Sequence, residues 1–332
     1  MQGAEVMKVL VTGGTGFLGA NLAAALVRRG DAVRVLRRAN SSLVALEGLP
    51  VEHAIGDITE PDAVERAVDG CDLVFHVAAI AAYWRSKPGR IYHVNVEGTR
   101  IVMAACLRAG VPRVVHTSSV AAVGIAARGA VADETTPFDA LSATFAYADS
   151  KHRAEAAVRD AAARGLNVVI VNPASVFGAG DHYLNTGRIV IEYGRGRIPL
   201  VPPGGMCVVD VDAVTQGHLL AAERGRAGER YILGGENLSH RQVTATVAAV
   251  ASVRAPWLVV PRGLLGPAAV VVDAFSRVSP WAPPINGEQL KLSGVDFYFD
   301  SSKAVRELGY PIMPFRGAVE KAYRWYKEHG YL

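Results

Sequence analysis

The sequence predicts an α/β fold, a doubly wound parallel sheet carrying a smaller, mostly α lobe, and two observations lead there. The first is the opening unit: an apolar strand, Lys8 to Thr12, runs straight into the glycine-rich turn Gly13 to Gly19 and then into an amphipathic stretch ending at Arg29. That is the strand, turn and helix order of a dinucleotide-binding unit. The second is rhythm: short apolar runs alternate with helical patterns as far as Pro173, a spacing that calls for parallel strands joined by right-handed crossovers.

Each element follows from its own residues. In the first turn, one of Gly13 and Gly14 permits the tight bend, Gly16 keeps side-chain bulk away from a pyrophosphate, and Gly19 lets the helix pack closely on the strand. Gly30 and Asp31 turn the chain into a second strand, Ala32 to Leu36, and Pro50 precedes a third, Val51 to Ile55, closed by Gly56 and Asp57. Pro61 opens a helix to Val68, and Leu73 to Val77 is a fourth strand. A loop holding Tyr83 and Trp84 leads to a long helix, Ile91 to Ala109, followed by a fifth strand, Val114 to His116. Tyr147 to Ala163 is helical and Val168 to Val171 is a sixth strand. After Pro173 the rhythm breaks, with Gly and Pro gathered between Gly178 and Gly205. Val208 to Val211 and a helix through Glu223 return to the first lobe. Tyr231 to Leu233, a Ser239-capped helix to Ala251 and the stretch to Asp300 build the smaller lobe, which ends in helices Ser301 to Leu308 and Phe315 to His329. Residues 7–175, with 206–228 returning, thus form a dinucleotide-binding domain; 176–205 and 229–332 form a substrate-binding lobe.

Composition narrows the function. A chain of 332 residues, half of them hydrophobic, supports two lobes and a sizeable core. A net charge of +4 with no run of more than two basic residues gives no nucleic-acid stripe. Cys71, Cys106 and Cys207 are scattered, without metal-ligand spacing, and read as buried thiols of a reducing, cytoplasmic compartment; no metal site is expected. Met1 to Val6 is too short and polar for a signal peptide. The apolar stretch Trp257 to Phe275 is broken by Pro261, Arg262, Pro267 and Asp273, so a helix lining an apolar pocket is expected there rather than a membrane span.

Where a dinucleotide fold usually has an acid at the end of its second strand, this chain has Arg37 and Arg38. Guanidinium groups hold a 2′-phosphate that a carboxylate would repel, so NADP is expected over NAD; the alternative is a merely solvated strand end. Asp57 is placed to accept from an adenine amino group or to cap the following helix. Tyr147 and Lys151 lie one helical turn apart on one face. A phenol titrating near ~10 is a poor acid or base at neutral pH, and an adjacent ammonium is expected to lower that value. Such a pair can move a proton at a carbonyl or hydroxyl oxygen while hydride moves at carbon. Alone the spacing also fits an exposed helix face; its position after the fifth strand favours chemistry. That strand ends in Thr117, Ser118 and Ser119, and Ser119 can orient a substrate oxygen toward Tyr147, while Ser118 fits a turn. His76 reads as a satisfied core histidine.

These residues resemble the extended short-chain dehydrogenase/reductase family of NAD(P)-dependent epimerases, dehydratases and carbonyl reductases. The resemblance spans nearly the whole chain and rests on TGGTGFLG at Thr12, GDIT at Gly56, HVAA at His76, NVEGT at Asn95, TSS at Thr117, the Tyr147/Lys151 pair and NPASVFG at Asn172. It implies a Rossmann sheet, a catalytic Ser119, Tyr147 and Lys151, and an Asn95 that positions the lysine through water. It also implies a cofactor site of Gly13, Gly16, Phe17, Leu18, Arg37, Asp57, Ile58, Ala78, Ala79, Pro173 and Ser175, with Tyr147 and Lys151 at the nicotinamide ribose. A homodimer through the helices near Ile91 to Ala109 and Tyr147 to Ala163 is implied by the same analogy.

Departures from the family pattern narrow the reaction. Dehydratases of the family carry an acidic pair after the fifth-strand hydroxyl, where this chain has Val120, Ala121 and Ala122. Nucleotide-sugar enzymes tend to place an arginine before the late Val-x-Asp strand, where this chain has Met206 and Cys207. Both point away from a diphospho-sugar. In these features and in Arg37 the chain looks like dihydroflavonol 4-reductase-like carbonyl reductases, and through YILGGENL at Tyr231 it is similar to hopanoid-associated sugar epimerase-like proteins. The expected function is NADPH-dependent reduction of an apolar or aromatic ketone or aldehyde, with Tyr83, Trp84, Val120, Phe145 and Asn185 as pocket residues. An epimerase acting by transient oxidation is the alternative, and a non-catalytic NADP-sensing module a third reading, against which the intact Ser119, Tyr147 and Lys151 argue.

Overall fold

The computed structural model of the chain describes residues 6–81, 87–127, 129–278 and 287–332. Tyr83 and Trp84 lie outside the described residues. Strand β1 (Lys8–Thr12) leads through the glycine turn into α1 (Phe17–Arg29), followed by β2 (Ala32–Arg37), β3 (Glu52–Ile55), α2 (Pro61–Val68) and β4 (Leu73–His76). The expected long helix is α3 (Pro88–Tyr92) and α4 (Gly98–Ala109), joined by a π-helical turn at His93–Glu97. Next come β5 (Arg113–Thr117), α5 (Ala140–Ala143), α6 (Ala146–Ala163) and β6 (Val168–Pro173). Then follow β7 (Ser175–Phe177), α7 (Gly187–Gly194), β8 (Leu200–Val201), β9 (Gly205–Asp210), α8 (Val211–Arg224), β10 (Arg230–Leu233) and β11 (Glu236–Ser239). The chain closes with α9 (His240–Val250), β12 (Leu258–Val259), α10 (Leu265–Val278), α11 (Gly287–Leu292), β13 (Asp296–Phe297), α12 (Ser302–Leu308) and α13 (Phe315–Glu328).

Among the described residues a seven-stranded parallel sheet runs in the order β10-β6-β5-β4-β1-β2-β3. Strand alternation sorts its side chains to two faces. Val9 and Val11 of β1 pack with Leu22 and Leu26 of α1 and Val214 of α8; Leu10 points the other way, into a cluster with Val64 of α2, Met103 of α4 and Val158 of α6. Helices cover both faces, so β4 is buried at every position. After β3 the chain crosses back to place β4 on the other side of β1, and the direction of strand order reverses between them. In open α/β sheets the crevice at the carboxyl ends of such a pair is where ligands bind.

Two strands depart from the sequence expectation. Tyr231 to Leu233, expected in the smaller lobe, is the edge strand β10 of the main sheet, parallel to β6 with Tyr231 opposite Val171. The strand over Val208, expected to return to the first lobe, instead centres a second sheet in which β9 pairs with β7, β11 and β13. Only the helix after it, α8, returns to cover the main sheet, burying Val214 and Ala221 there. Beside the second sheet Phe177 meets Phe315 edge to face at 5.0 Å, within a cluster holding Val243, Val247 and Tyr326. Ser239 caps α9 as expected, in a reciprocal capping box with Gln242. No helix among the described residues is long and apolar enough to cross a membrane.

Candidate active site

The glycine turn is shaped by backbone proximity. Gly13 has φ +73°, in the left-handed region, and a Cβ there would lie 2.7 Å from the backbone of Ala78 at the end of β4. A Cβ on Gly19 would lie 2.2 Å from the Gly13 carbonyl oxygen, so only glycine lets α1 start this close to the turn. Gly16 is the N-cap of α1, and a Cβ there would stand 3.3 Å from the Gly13 carbonyl. The N–H groups of Phe17 and Leu18 in the first helical turn have no intrahelical acceptor, and the helix dipole adds positive potential beside them. This cradle, at the strand-order reversal, fits a dinucleotide pyrophosphate.

The remaining expected cofactor residues ring the same edge. Arg37 ends β2, half-exposed, its guanidinium bonded to His53 Nδ1 at 3.3 Å and to the Arg38 and Ala39 carbonyls, while Arg38 is exposed. One oxygen of Asp57 accepts from the N–H and hydroxyl of Thr59, which closes the turn after β3; the helix cap itself is Glu60. Ile58 is buried against Gly98, where a Cβ would meet its Cδ1 at 2.7 Å. The Ala78 N–H donates to Thr12 Oγ1 at 3.2 Å, and Ala79 is partly buried beside it. Pro173 closes β6, and Ser175 opens β7.

Ser119, Tyr147 and Lys151 come together at the carboxyl end of β5. Ser119 follows that strand and caps a 3₁₀ turn, its hydroxyl accepting from the Ala121 N–H at 3.1 Å. Tyr147 and Lys151 sit on the buried face of α6. Burial pushes the Tyr147 phenol above its ordinary 10, and a hydrogen bond with Ser119 works in the opposite direction. Burial lowers the Lys151 ammonium to about 8, with the Glu155 carboxylate opposing it. The expectation that the ammonium would depress the phenol is therefore corrected. Lys151 Nζ is turned to the Thr117 carbonyl at 2.8 Å, and desolvation dominates the tyrosine.

A set of supports surrounds the three, and sequence reasoning missed most of it. Asn95, in the π turn, bonds Ser150 Oγ at 2.9 Å and both backbone groups of Ile80, so it clamps α6 to the loop after β4. Glu155 is fully buried; it accepts from Asn172 at 2.7 Å, Arg159 at 2.7 Å and Arg230 at 3.3 Å. The same Asn172 amide donates to the Ser119 carbonyl at 2.8 Å. Tyr147, Lys151 and Glu155 recur at intervals of four on α6, which the sequence could have shown; the partners Asn172 and Arg230 come from β6 and β10. His76 accepts from Thr12 at 2.8 Å and donates to Thr99 at 3.0 Å, the satisfied core histidine expected.

Of the expected pocket residues, Val120 packs against a buried cluster that includes Val123, Cys207 and Phe299, giving apolar surface next to Ser119. Phe145 caps α6 one residue before its start and is partly buried. Asn185 is exposed in the turn before α7, with its amide on Asp181 at 3.1 Å. The stretch from Trp257, expected as a helix lining a pocket, is instead β12, a 3₁₀ turn at Arg262–Leu264 and only then α10, and it turns Trp257, Leu258, Val270 and Val271 to the exterior.

Residues 9–234 match the NAD dependent epimerase/dehydratase family. Among characterised sequences the chain is 38% identical to a protein named putative dihydroflavonol 4-reductase from Synechocystis, over 97% of this chain and 95% of the relative. It is 36% identical to sterol demethylase protein B of Methylococcus capsulatus, over 98% of this chain and 100% of that one. The crystal structure of a nucleoside-diphosphate-sugar epimerase from Pseudomonas aeruginosa superposes with a TM-score of 0.81 at 28% identity, covering 99% of this chain and all of the other.

Proposed function

This chain belongs to the NAD dependent epimerase/dehydratase family, an oxidoreductase of the extended short-chain type, and from that premise we propose that it reduces an apolar ketone or aldehyde to the alcohol with NADPH. The carrying observation is a buried phenol, Tyr147, hydrogen-bonded to Ser119 with Lys151 on the same helix face. NADPH, when bound, supplies hydride to the carbonyl carbon. Tyr147 donates its proton to the carbonyl oxygen as that oxygen gains charge, and its raised pKa keeps the proton in place until then. Ser119 hydrogen-bonds the same oxygen. The Lys151 ammonium, held at the end of β5 by the Thr117 carbonyl, would anchor the nicotinamide ribose. Arg37 and Arg38 would hold the 2′-phosphate, Asp57 the adenine, and the turn from Gly13 to Leu18 the pyrophosphate, with Ile58, Ala78, Ala79, Pro173 and Ser175 lining the rest. Val120, next to Ser119 and packed on an apolar cluster, supports a substrate of low polarity.

The test is NADPH oxidation against a panel of aliphatic and aromatic ketones, aldehydes and nucleotide sugars. Tyr147→Phe lowers turnover by about 10²-fold or more while NADPH affinity stays within a few-fold. Near-normal turnover in that variant removes Tyr147 from the mechanism. Likeness to the Pseudomonas epimerase favours one second reading, transient oxidation and re-reduction of a sugar. Dinucleotide that stays with the protein through gel filtration, with no net NADPH consumption, would decide for it. A homodimer paired across α4 and α6 belongs to the same proposal.

A further inference from the structure

Helix α10 is apolar on both sides over its first eight residues, Leu265 to Val272, before Asp273. Leu265 and Ala269 face inward and are buried, yet Val270 and Val271 on the outer side are each 67% exposed and Leu264, just before the helix, is 56% exposed. Pro267 and Ala274 continue that exposed stripe at helical spacing, and no charged residue occurs from Gly263 to Val272. A surface helix ordinarily turns polar residues to water, so a stripe of this kind marks a non-aqueous neighbour. The segment before it extends the surface: Trp257 is 62% exposed, and Leu258 of β12 stands beside Leu200 of β8, both exposed.

Charge decides the occupant. The two segments that carry this surface, 193–203 and 252–272, contain four arginines and no Asp or Glu. Arg195 and Arg262 are exposed with acidic neighbours at their edge, Glu192 at 3.9 Å and Asp296 at 3.3 Å. Arg197 and Arg254 are exposed and make no ion pair among the described residues. A tryptophan and an aliphatic stripe flanked by arginines suit the boundary of an anionic bilayer, with the ring at headgroup depth and guanidinium groups on phosphates. No described helix is long and apolar enough to span, so such attachment lies in the interface plane. We propose that α10, with the Trp257–Val259 segment, is a monotopic docking surface for an anionic lipid bilayer. It stands apart from the proposed reductase chemistry and is read without turnover.

The experiment is co-sedimentation of the full chain with vesicles of phosphatidylglycerol and phosphatidylcholine, or of phosphatidylcholine alone. The protein pellets with the anionic vesicles and far less with the neutral ones. Arg197→Ser and Arg254→Ser each lower the partition coefficient about fivefold. Val270→Glu with Val271→Glu abolishes pelleting, and because both side chains are exposed the thermal midpoint is retained. No pelleting with anionic vesicles, or undiminished pelleting of the double glutamate variant, overturns the proposal. So does a shift from dimer to monomer by light scattering in that variant, which would assign the face to a second copy of the chain.

Discussion

Acidification from pH 8 to 5 is expected to weaken the folded chain through three histidines set under the site. His76, His116 and His218 are buried, and each is held neutral. The Thr99 hydroxyl spends its only proton on the Asn95 carbonyl at 2.6 Å, so His76 Nε2–H must donate to Thr99, and Nδ1 accepts from Thr12. His218 Nδ1–H donates to the Val214 carbonyl at 2.8 Å, which leaves Nε2 to accept from Thr117. Burial lowers His76 to about 3 and His218 to about 4; His116, which adds repulsion from His76 and Lys151, falls well below 6.5. Since the folded values lie below the unfolded one, the unfolded chain takes protons first as pH falls. Stability is therefore complete above the unfolded value of about 6.5 and is lost as pH drops toward the folded ones. At pH 5 His76 and His218 each cost about 2 kcal/mol by staying neutral in the fold, so the two cost about 4 and His116 adds to the loss, against a total of roughly 5–15 for a domain. Urea unfolding followed by circular dichroism at pH 8, 6 and 5 measures this. His116→Leu isolates one share: neither ring nitrogen of His116 has a hydrogen-bond partner among the described residues, so the change orphans nothing and shrinks the pH 8 to 5 loss. An unchanged loss in that variant, or stability that is flat across the range, refutes the reasoning.

Other perturbations probe the site directly. Glu155→Gln removes the charge that raises Lys151, so the ammonium gives up its proton at lower pH and the alkaline limb of kcat/KM moves down; an unmoved limb would show that Glu155 acts only through packing. Arg37→Asp lowers the NADPH to NADH ratio of kcat/KM by about tenfold or more, since a charged hydrogen bond to the 2′-phosphate becomes a repulsion, and an unchanged ratio overturns the phosphate assignment. Gly19→Ala forces the Gly13 carbonyl aside from 2.2 Å, costing about 1–3 kcal/mol in urea unfolding and weakening dinucleotide binding measured by fluorescence; wild-type values for both would mean the turn yields freely.

The legible parts of this fold are those whose cause is local. Gly13 and Gly19 stand where no side chain fits, so the turn announces itself in composition. Lys151 follows Tyr147 by one helical turn, so the pair needs no tertiary information to be seen on one face. Strand β10 is different: its apolar run is short, it follows the break in rhythm, and only pairing with β6 puts it in the main sheet. The same holds for β9, whose three partners come from before and after it in sequence. Asn185 reads as a pocket residue by type, yet the neighbouring Asp181 takes its amide.

Protonation was the least legible property, because it depends on what surrounds a group more than on what the group is. By spacing alone, Lys151 should pull the Tyr147 proton off. In the fold, dry packing acts on both groups and in opposite senses, raising the phenol and lowering the ammonium. Desolvation therefore keeps the phenol protonated, which the Tyr147/Lys151 spacing cannot express. The buried Glu155 works against the same desolvation at Lys151, since its carboxylate opposes the loss of charge from one helical turn away. Its own burial is sustained by Arg159, Arg230 and Asn172, three residues from three elements.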